Sequence, residues 1–144
     1  MVNMENIEAL KISSHVLGNL FYFNPVSKEM KHVINLIESG NVVLEWPYGS
    51  ESELEEILNL YKKGLSNKEL LDSEYKKLFV GPHKLDAPPR SSVYLDKEAV
   101  IFGESTIELR SWLASIGIEP NLTQKEPEDH IGLMLMPVIS SSRT

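Results

Sequence analysis

Apolar residues recur at helical spacing along residues 4–23, and they predict a first helix. The main stripe consists of Ile7, Leu10, Leu17, Leu20 and Phe21. Further apolar residues widen this stripe almost all round the helix. Because a helix that is apolar on most faces is usually buried, the pattern predicts a central helix that ends at Asn24-Pro25.

A second helix is predicted before Gly40, a residue type that commonly ends helices. Its apolar positions are Met30, Val33, Ile34 and Ile37. Residues 41–49, which contain Trp46-Pro47, are too short for independent structure. We therefore expect an ordered loop there.

Three serine–glutamate pairs at i, i+3 spacing predict three further helix starts. In such a capping box each side chain accepts a hydrogen bond from a backbone N–H group of the first turn. The pairs are Ser50 with Glu53, Ser66 with Glu69, and Ser105 with Glu108. Each pair precedes a helical stripe of apolar residues that ends near a glycine, at Gly64, Gly81 and Gly117.

Residues 82–104 interrupt this rhythm, with three prolines and no helical period. A loop of this length in a compact domain is usually functional or disordered. A sixth helix is predicted from Pro127 until Pro137, and its apolar face comprises Ile131, Met134, Leu135 and Val138. The predicted fold class is all-α, with residues 1–144 forming one bundle of about six helices and a long proline-rich loop.

The charge balance bears on possible partners. The chain has 21 acidic and 14 basic residues, a formal net charge of −7. A nucleic-acid backbone would be repelled by this field, so nucleic acid is not an expected partner. A basic peptide would be attracted, although acidity also simply keeps a protein soluble.

The N-terminal residues suggest a chain that remains in the cytoplasm, whereas the cysteine content leaves the compartment undetermined. There is no cysteine, which excludes disulfides and thiolate chemistry. The first ten residues lack the features of a secretory signal. The apolar run at residues 131–139 is less than half of a membrane span, so no membrane insertion is expected.

Signatures of catalysis and metal binding are missing from the sequence. Nucleotide-binding glycine motifs, the nucleophile elbow and the zinc helix motif do not occur. No two histidines fall at i, i+4 spacing, and the chain has one Glu-x-x-His pair, Glu29 with His32, where a di-metal site in a helical bundle requires such pairs on two helices. We therefore expect no cofactor, no metal and no enzymatic activity.

The acidic segment Glu126-Pro127-Glu128-Asp129-His130 allows two interpretations. Proline suits the first position of a helix, and carboxylates there complement the helix dipole, so the segment could simply start the last helix. Alternatively, its carboxylates bind a basic ligand. The residues alone favour the first interpretation.

Four ordered sequence blocks resemble the DmsD/TorD family of Tat proofreading chaperones, closest to the DmsD branch. They are LFVGP at 78–82, PPRSSVYLD at 88–96, IFGEST at 101–106 and EPEDH at 126–130. The resemblance implies an all-helical protein that binds the twin-arginine leader of a molybdenum-cofactor oxidoreductase, of the dimethyl sulfoxide or trimethylamine N-oxide reductase type. It would hold export until the cofactor is loaded.

Motif position carries Asp129 and His130 over as binding residues, with Gly103, Phe79 and the Trp46 region as lesser candidates. The sequence departs from the family at His83, where the DmsD branch usually has tryptophan. It departs again at residues 137–144, where members continue the last helix. That implies that several C-terminal helices of the family are missing from this chain.

A twin-arginine leader offers two guanidinium groups followed by an apolar stretch. We expect Asp129, with Glu126 or Glu128, to bind the arginines and His130 to orient the motif. The aromatic candidates for the apolar groove are Phe79, Tyr94, Trp46 and Trp112, for which ordinary core packing is the alternative.

Two other functions remain open from the sequence, a generic helical adaptor and a guanine-nucleotide-binding protein. Neither has a motif here. Since the apolar face of the last helix would normally pack against later helices, we also expect exposed apolar surface and a homodimer, possible by domain swapping as in the family.

Overall fold

A computed structural model of the protein describes residues 4–95, 103–118 and 129–136. These residues form eight α-helices and one turn of 3₁₀ helix, Lys28–Met30, and within these ranges no β-strand is formed. The all-α prediction is thus confirmed. The helices are α1 (Met4–Tyr22), α2 (Lys31–Glu38), α3 (Asn41–Glu45), α4 (Glu51–Leu65), α5 (Lys68–Phe79), α6 (Ser92–Leu95), α7 (Glu104–Ser115) and α8 (Ile131–Leu135).

The apolar core lies between α1, α2 and α3. Its buried members are Val16, Met30, Val33, Ile37 and Val42. Leucines and aromatics of the surrounding helices, among them Leu58 and Tyr61 of α4, pack partly buried against it. The apolar periodicity of α2 therefore identified core residues correctly.

The buried face of α1 differs from the predicted stripe. Apart from Val16, the residues of α1 that are fully buried are small or polar, namely Ser13, Ser14, Gly18 and Asn19. Leu10, a member of the predicted stripe, is exposed. Small residues are buried here because α8 crosses α1 at close range, in the most extensive helix pairing among the described residues.

One of the three predicted capping boxes begins a helix as expected. Ser50 Oγ accepts from the Glu53 N–H at 3.4 Å, and Glu53 Oε2 accepts from the Ser50 N–H at 2.8 Å. The Ser66 box was wrong, because Ser66 follows α4 as its C-terminal cap. Asn67 caps α5 instead, its Oδ1 accepting from the Leu70 N–H at 3.1 Å.

The Ser105 box was also wrong. α7 begins at Glu104, two residues before the start that a Ser105 cap would give, and Gly103 precedes it without a side-chain cap. Gly117 follows the helix with a φ of 82°, a left-handed conformation that glycine adopts without strain. The C-terminal stop was therefore predicted correctly and the N-terminal cap was not.

Two short helices lie where loops were expected. α3 occupies most of the segment 41–49, because Gly40 takes a φ of 78°, which redirects the chain, and Val42 is buried in the core. α6 lies inside the proline-rich segment 82–104. Both are too short to be stable alone, so tertiary contacts rather than local propensity create them.

The last helix starts later than predicted. His130 is extended, with φ −62° and ψ 129°, and α8 begins at Ile131 rather than at Pro127. His130 is itself the cap, since its Nδ1 accepts from the Gly132 N–H at 3.0 Å. In the described ranges, no helix combines the length and apolar character needed to span a bilayer.

Candidate functional site

Two glycines allow α1 and α8 to approach backbone to backbone. A Cβ on Gly132 would lie 2.7 Å from Tyr22 Cβ and 2.8 Å from the Gly18 carbonyl oxygen. A Cβ on Gly18 would lie 3.0 Å from the Gly132 carbonyl oxygen. This close crossing fixes the start of α8 against α1, and with it the two residues immediately before α8.

Asp129, one of these two residues, joins α8 to the proline-rich segment. Its side chain is buried, and its Oδ2 accepts from the Ser92 N–H at 2.7 Å and lies 3.4 Å from the Ser91 hydroxyl. The Ser91 N–H also donates to the Asp129 carbonyl at 3.2 Å, and the Ile131 N–H to the Pro89 carbonyl at 2.8 Å. The carboxylate therefore anchors the first turn of α6.

The second carboxylate oxygen of Asp129, Oδ1, is buried and has no hydrogen-bond partner among the described residues. A buried acceptor without a partner costs about 1 to 3 kcal/mol, and more when it is charged. A ligand that displaces the groups covering Oδ1 and brings a hydrogen-bond donor to it would therefore gain free energy.

Asp129 lies in the wall of a cavity of about 570 Å³ that is mainly apolar. Besides Asp129, one other carboxylate residue, Asp86, and one guanidinium residue, Arg90, border it. Its lining residues are Phe21, Leu78, Phe79, Asp86, Ala87, Pro88, Pro89, Arg90, Ser91, Tyr94, Asp129, Ile131 and Met134. We call this space the Asp129 cavity.

His130 lies beside a second cavity, of about 340 Å³, which it shares with Tyr22, Tyr75 and Phe79. Its ring meets the Tyr22 ring edge to face, with centroids 5.3 Å apart. Because Nδ1 accepts from the Gly132 N–H, the neutral imidazole carries its hydrogen on Nε2. Phe79 borders both cavities.

The structure brings four of the predicted binding residues together. Asp129, Phe79 and Tyr94 line the Asp129 cavity, and His130 lines the second cavity, which Phe79 also borders. The Tyr94 hydroxyl donates to the Pro88 carbonyl at 2.9 Å, which holds this aromatic against the proline-rich segment.

The other predicted binding residues are placed elsewhere. Trp46 borders a different cavity, beside α4. Gly103 caps α7, while His83 and Trp112 are exposed and line none of the cavities described here. Glu126, Pro127 and Glu128 lie outside the described residues.

Sequence reasoning missed several residues that build the site. Gly132 sets the helix crossing, Ser92 binds the anchoring oxygen, and Arg90 borders the cavity. The helical pattern did not identify Gly132, because the need for glycine there arises from the nearby backbone of α1, which the pattern does not contain. Arg90 and Ser92 stood in the PPRSSVYLD block, where their residue types suggested nothing.

The chain matches one family of known proteins over most of its length. The sequence profile described as nitrate reductase delta subunit matches residues 45–139. A solved structure from Archaeoglobus fulgidus, described as that of a candidate redox enzyme maturation protein, superposes with a TM-score of 0.53 at 21% identity, covering 97% of this chain and 72% of that one. At that identity the likeness concerns the fold alone.

Curated relatives carry chaperone names. The Tat proofreading chaperone DmsD of Salmonella typhi is 37% identical over 125 residues, which cover 87% of this chain and 60% of that protein. The Haemophilus influenzae protein named probable Tat proofreading chaperone DmsD is 38% identical over 135 residues, covering 92% and 66%. The chaperone protein TorD of Vibrio vulnificus strain YJ016 is 34% identical over 65 residues, covering 45% and 30%. The matched region thus spans about two thirds or less of each relative.

Proposed function

The chain belongs to the nitrate reductase delta subunit family and is similar to proteins named Tat proofreading chaperone DmsD, and from that premise we propose that it is a chaperone that binds the twin-arginine leader of a redox enzyme. The client is an oxidoreductase with a molybdenum cofactor, and binding in the cytoplasm delays its export until it is mature. The proposed role is that of a chaperone and involves no catalysis.

The unpartnered Oδ1 of Asp129 beside an apolar cavity is the observation that carries this proposal. A guanidinium group is a planar, permanently charged donor that suits a carboxylate oxygen. In a leader, the arginines are followed by an apolar stretch, for which the side chains of Phe21, Leu78 and Phe79 provide a matching surface. Both halves of the ligand therefore have a counterpart in one cavity.

The apolar stretch and the arginines of the leader are expected to contribute different amounts of binding free energy. Burial of about 400 Å² of apolar leader surface yields roughly 10 kcal/mol, against an association cost of at least about 4 kcal/mol. A hydrogen bond to a buried charged group adds about 1.5 to 3 kcal/mol. The balance corresponds to micromolar affinity, with the apolar stretch supplying most of it and the arginine contact providing discrimination.

His130 and Phe79 have supporting roles in the proposal. His130 holds the start of α8 through its bond to the Gly132 N–H, which places the neighbouring Asp129 carboxylate. Phe79 packs edge to face on Phe21, with ring centroids 6.0 Å apart, and so stiffens the apolar wall. Loss of His130 therefore weakens leader binding by displacing Asp129.

The test is calorimetric titration of a synthetic twin-arginine leader into the protein and its Asp129→Asn variant. Asparagine retains an oxygen that can accept from the Ser92 N–H but removes the charge, so the fold survives and affinity falls about tenfold or more. Asp72→Asn is the matched control, because Asp72 bonds Lys76 and Asn24 and lies outside the cavity.

Equal leader affinity of Asp129→Asn and the parent would overturn this assignment of the site. A second titration, with both leader arginines replaced by lysine, separates the proposal from a generic adaptor. The proposal requires weaker binding of the lysine leader, because ammonium groups cannot form the paired planar contact. Equal binding would favour the adaptor.

We also propose that the chain self-associates through the apolar face of α8. Ile131 and Met134 are 41% and 45% exposed, although both are apolar and adjacent on that face. Exposed apolar surface favours association. Light scattering should report a dimer or larger species, and a monodisperse monomer would contradict this proposal.

A further inference from the structure

The second cavity, which His130 borders, combines aromatic side chains with one acidic residue. Four of its eleven lining residues are aromatic, namely Tyr22, Phe23, Tyr75 and Phe79. The acidic residue is Glu29, which precedes α2. Aromatic faces and carboxylates are the two kinds of group with which a guanidinium group interacts best. The composition of this wall therefore suits an arginine side chain.

The charges around the second cavity also favour a cation. Glu29 is exposed and takes part in none of the ion pairs among the described residues. The basic residue on the same wall, Lys76, is paired with Asp72 at 2.7 Å. A neighbouring cavity, which shares Ser27 with this one, is lined instead by three lysines and one glutamate and would repel a cation. A positively charged ligand near α2 is thus directed to the side of Glu29.

Two consecutive residues of the chain border two different cavities. Asp129 lines the Asp129 cavity, and His130 lines the second cavity. His130 has an extended backbone, and successive side chains of an extended chain lie on opposite faces. A bound peptide with an extended backbone can likewise place two consecutive long side chains in the two cavities. The arginines of a twin-arginine leader are such a pair.

We propose that the second cavity is the subsite for the first arginine of the leader, with Glu29 as its counter-ion. This inference rests on the proposed function, because it leaves the second arginine to Asp129. The order follows from the apolar stretch of the leader, which comes after the second arginine. The Asp129 cavity provides the aliphatic wall for that stretch, through Leu78, Ile131 and Met134. Glu29 is therefore a specificity-determining residue that recognises the arginine farther from the apolar stretch.

Three leaders test this assignment by calorimetric titration, namely the unmodified leader, one with glutamine in place of the first arginine, and one with glutamine in place of the second. Glu29→Gln should weaken binding of the unmodified leader about threefold, as expected for an exposed pair of charges. The same variant should bind the leader with the first glutamine as tightly as the unmodified protein does, because that leader has lost the partner of Glu29.

Asp129→Asn should give the converse pattern. It should weaken binding of the leader with the first glutamine about tenfold and leave binding of the leader with the second glutamine unchanged. Glu38→Gln is the matched control for Glu29→Gln. Glu38 is also exposed, lies in α2, and lines the neighbouring cavity rather than the second one. Its substitution removes the same charge and should leave the affinity for all three leaders unchanged.

Three results would overturn the subsite. They are an unchanged affinity of Glu29→Gln for the unmodified leader, an equal loss in Glu29→Gln for the leader with the first glutamine, and a loss in Glu38→Gln as large as that in Glu29→Gln. If Asp129→Asn still weakens binding, the proposed function stands without this subsite. If Asp129→Asn has no effect while Glu29→Gln does, the assignment of Asp129 fails instead, and absence of any leader binding would remove both.

Discussion

On one side of α1, the helices α2 and α3 bury a continuous apolar cluster around Met30 and Val33. On the other, α8 is held by the close backbone contact between its Gly132 and Gly18 of α1, and by a buried aspartate and histidine. The apolar side has soft, interdigitating contacts, whereas the α8 side depends on backbone proximity and a few directed hydrogen bonds. Many sequences can form apolar packing of the first kind. The backbone contact on the α8 side restricts the sequence, because a Cβ at Gly18 or Gly132 would lie too close to the other helix.

This difference also separates the two kinds of cavity. The cavity between α1, α2, α3 and α4, beside Tyr61, is a gap within the apolar side. The Asp129 cavity forms where the polar anchor of α8 meets the proline-rich segment. On the α8 side, the hydrogen bond to Asp129 Oδ2 fixes the position of the unpaired oxygen Oδ1. Apolar packing has no directed contacts and fixes no such acceptor.

The largest expected effect is the loss of stability when a residue of the apolar core is truncated. Met30 is fully buried, so Met30→Ala removes apolar contacts and leaves a void, and it should lower the free energy of unfolding by about 2 to 5 kcal/mol. Met134→Ala is the control, because Met134 is 45% exposed and should lose far less. Urea unfolding of both variants measures the difference, and similar losses would contradict the assigned core.

The second prediction concerns the close contact between α8 and α1. Gly132→Ala places a methyl group 2.7 to 2.9 Å from Tyr22 Cβ, the Gly18 carbonyl oxygen and the Tyr22 nitrogen, of which two are backbone atoms that cannot yield. Unfolding free energy should fall by about 1 to 3 kcal/mol, the usual cost of overpacking. Since the helix start moves, leader binding should weaken too.

Gly64→Ala provides the matched control for that substitution. Gly64 lies within α4, and a methyl group added there would meet its nearest neighbour, Leu71 Cδ1, at an ordinary contact distance of 3.9 Å. Alanine at this position should raise stability by about 0.5 to 1 kcal/mol. A destabilised Gly64→Ala, or a neutral Gly132→Ala, would remove the distinction between these glycines.

The sequence predicted the apolar side of the molecule well and the α8 side poorly. Helical spacing of Met30, Val33 and Ile37 identified true core positions, because burial of aliphatic residues follows the period of the helix. Resemblance of the EPEDH block pointed to Asp129 and His130, which the structure shows to be buried together at the start of α8.

What could not be predicted depends on contacts between distant segments. Asp129 anchors Ser92, 37 positions away, and only the folded chain reveals that one carboxylate oxygen is used and the other is not. The same holds for Trp46, which the family resemblance and its aromatic side chain suggested for the leader groove, and which borders the cavity beside Tyr61. Local patterns carry no information on such pairings.

A third prediction, with a smaller effect, concerns helix starts on the apolar side. Ser50→Ala removes the capping box of α4, and Asn67→Ala removes the cap of α5, so each should cost about 1 kcal/mol. Ser66→Ala should cost clearly less than Asn67→Ala, because Ser66 caps no helix start. Thermal unfolding measures the stability loss in the three variants. A larger loss in Ser66→Ala than in Asn67→Ala would support Ser66, rather than Asn67, as the cap of α5.

The smallest expected effect comes from a polar contact on the apolar side, between His15 of α1 and His32 of α2. Their Nε2 atoms are 2.9 Å apart, and partial burial together with the neighbouring His32 lowers the pKa of His15 below its usual value of 6.5. Because the pKa of His15 is lower in the folded chain, the unfolded chain binds the proton more readily. His15 therefore has no effect on stability well above pH 6.5, and it destabilises the fold as the pH falls below 6.5. Water screens the pair, which keeps the effect small.

Melting temperatures at pH 7.5 and 5.5 test this linkage. The loss on acidification should be largest in the parent, smaller in His32→Gln, and smallest in His15→Gln, because burial, the larger cause, acts on His15 itself. The carboxyls of Glu53 and Asp72, whose pKa values are lowered from 4.5 and 3.8, lose their contribution only at more acidic pH. His83→Gln is the control, since His83 is exposed and should leave the loss unchanged. If His15→Gln loses as much stability as the parent over this interval, the histidine pair plays no part in the acid response, and the apolar side of α1 is held by its aliphatic contacts alone.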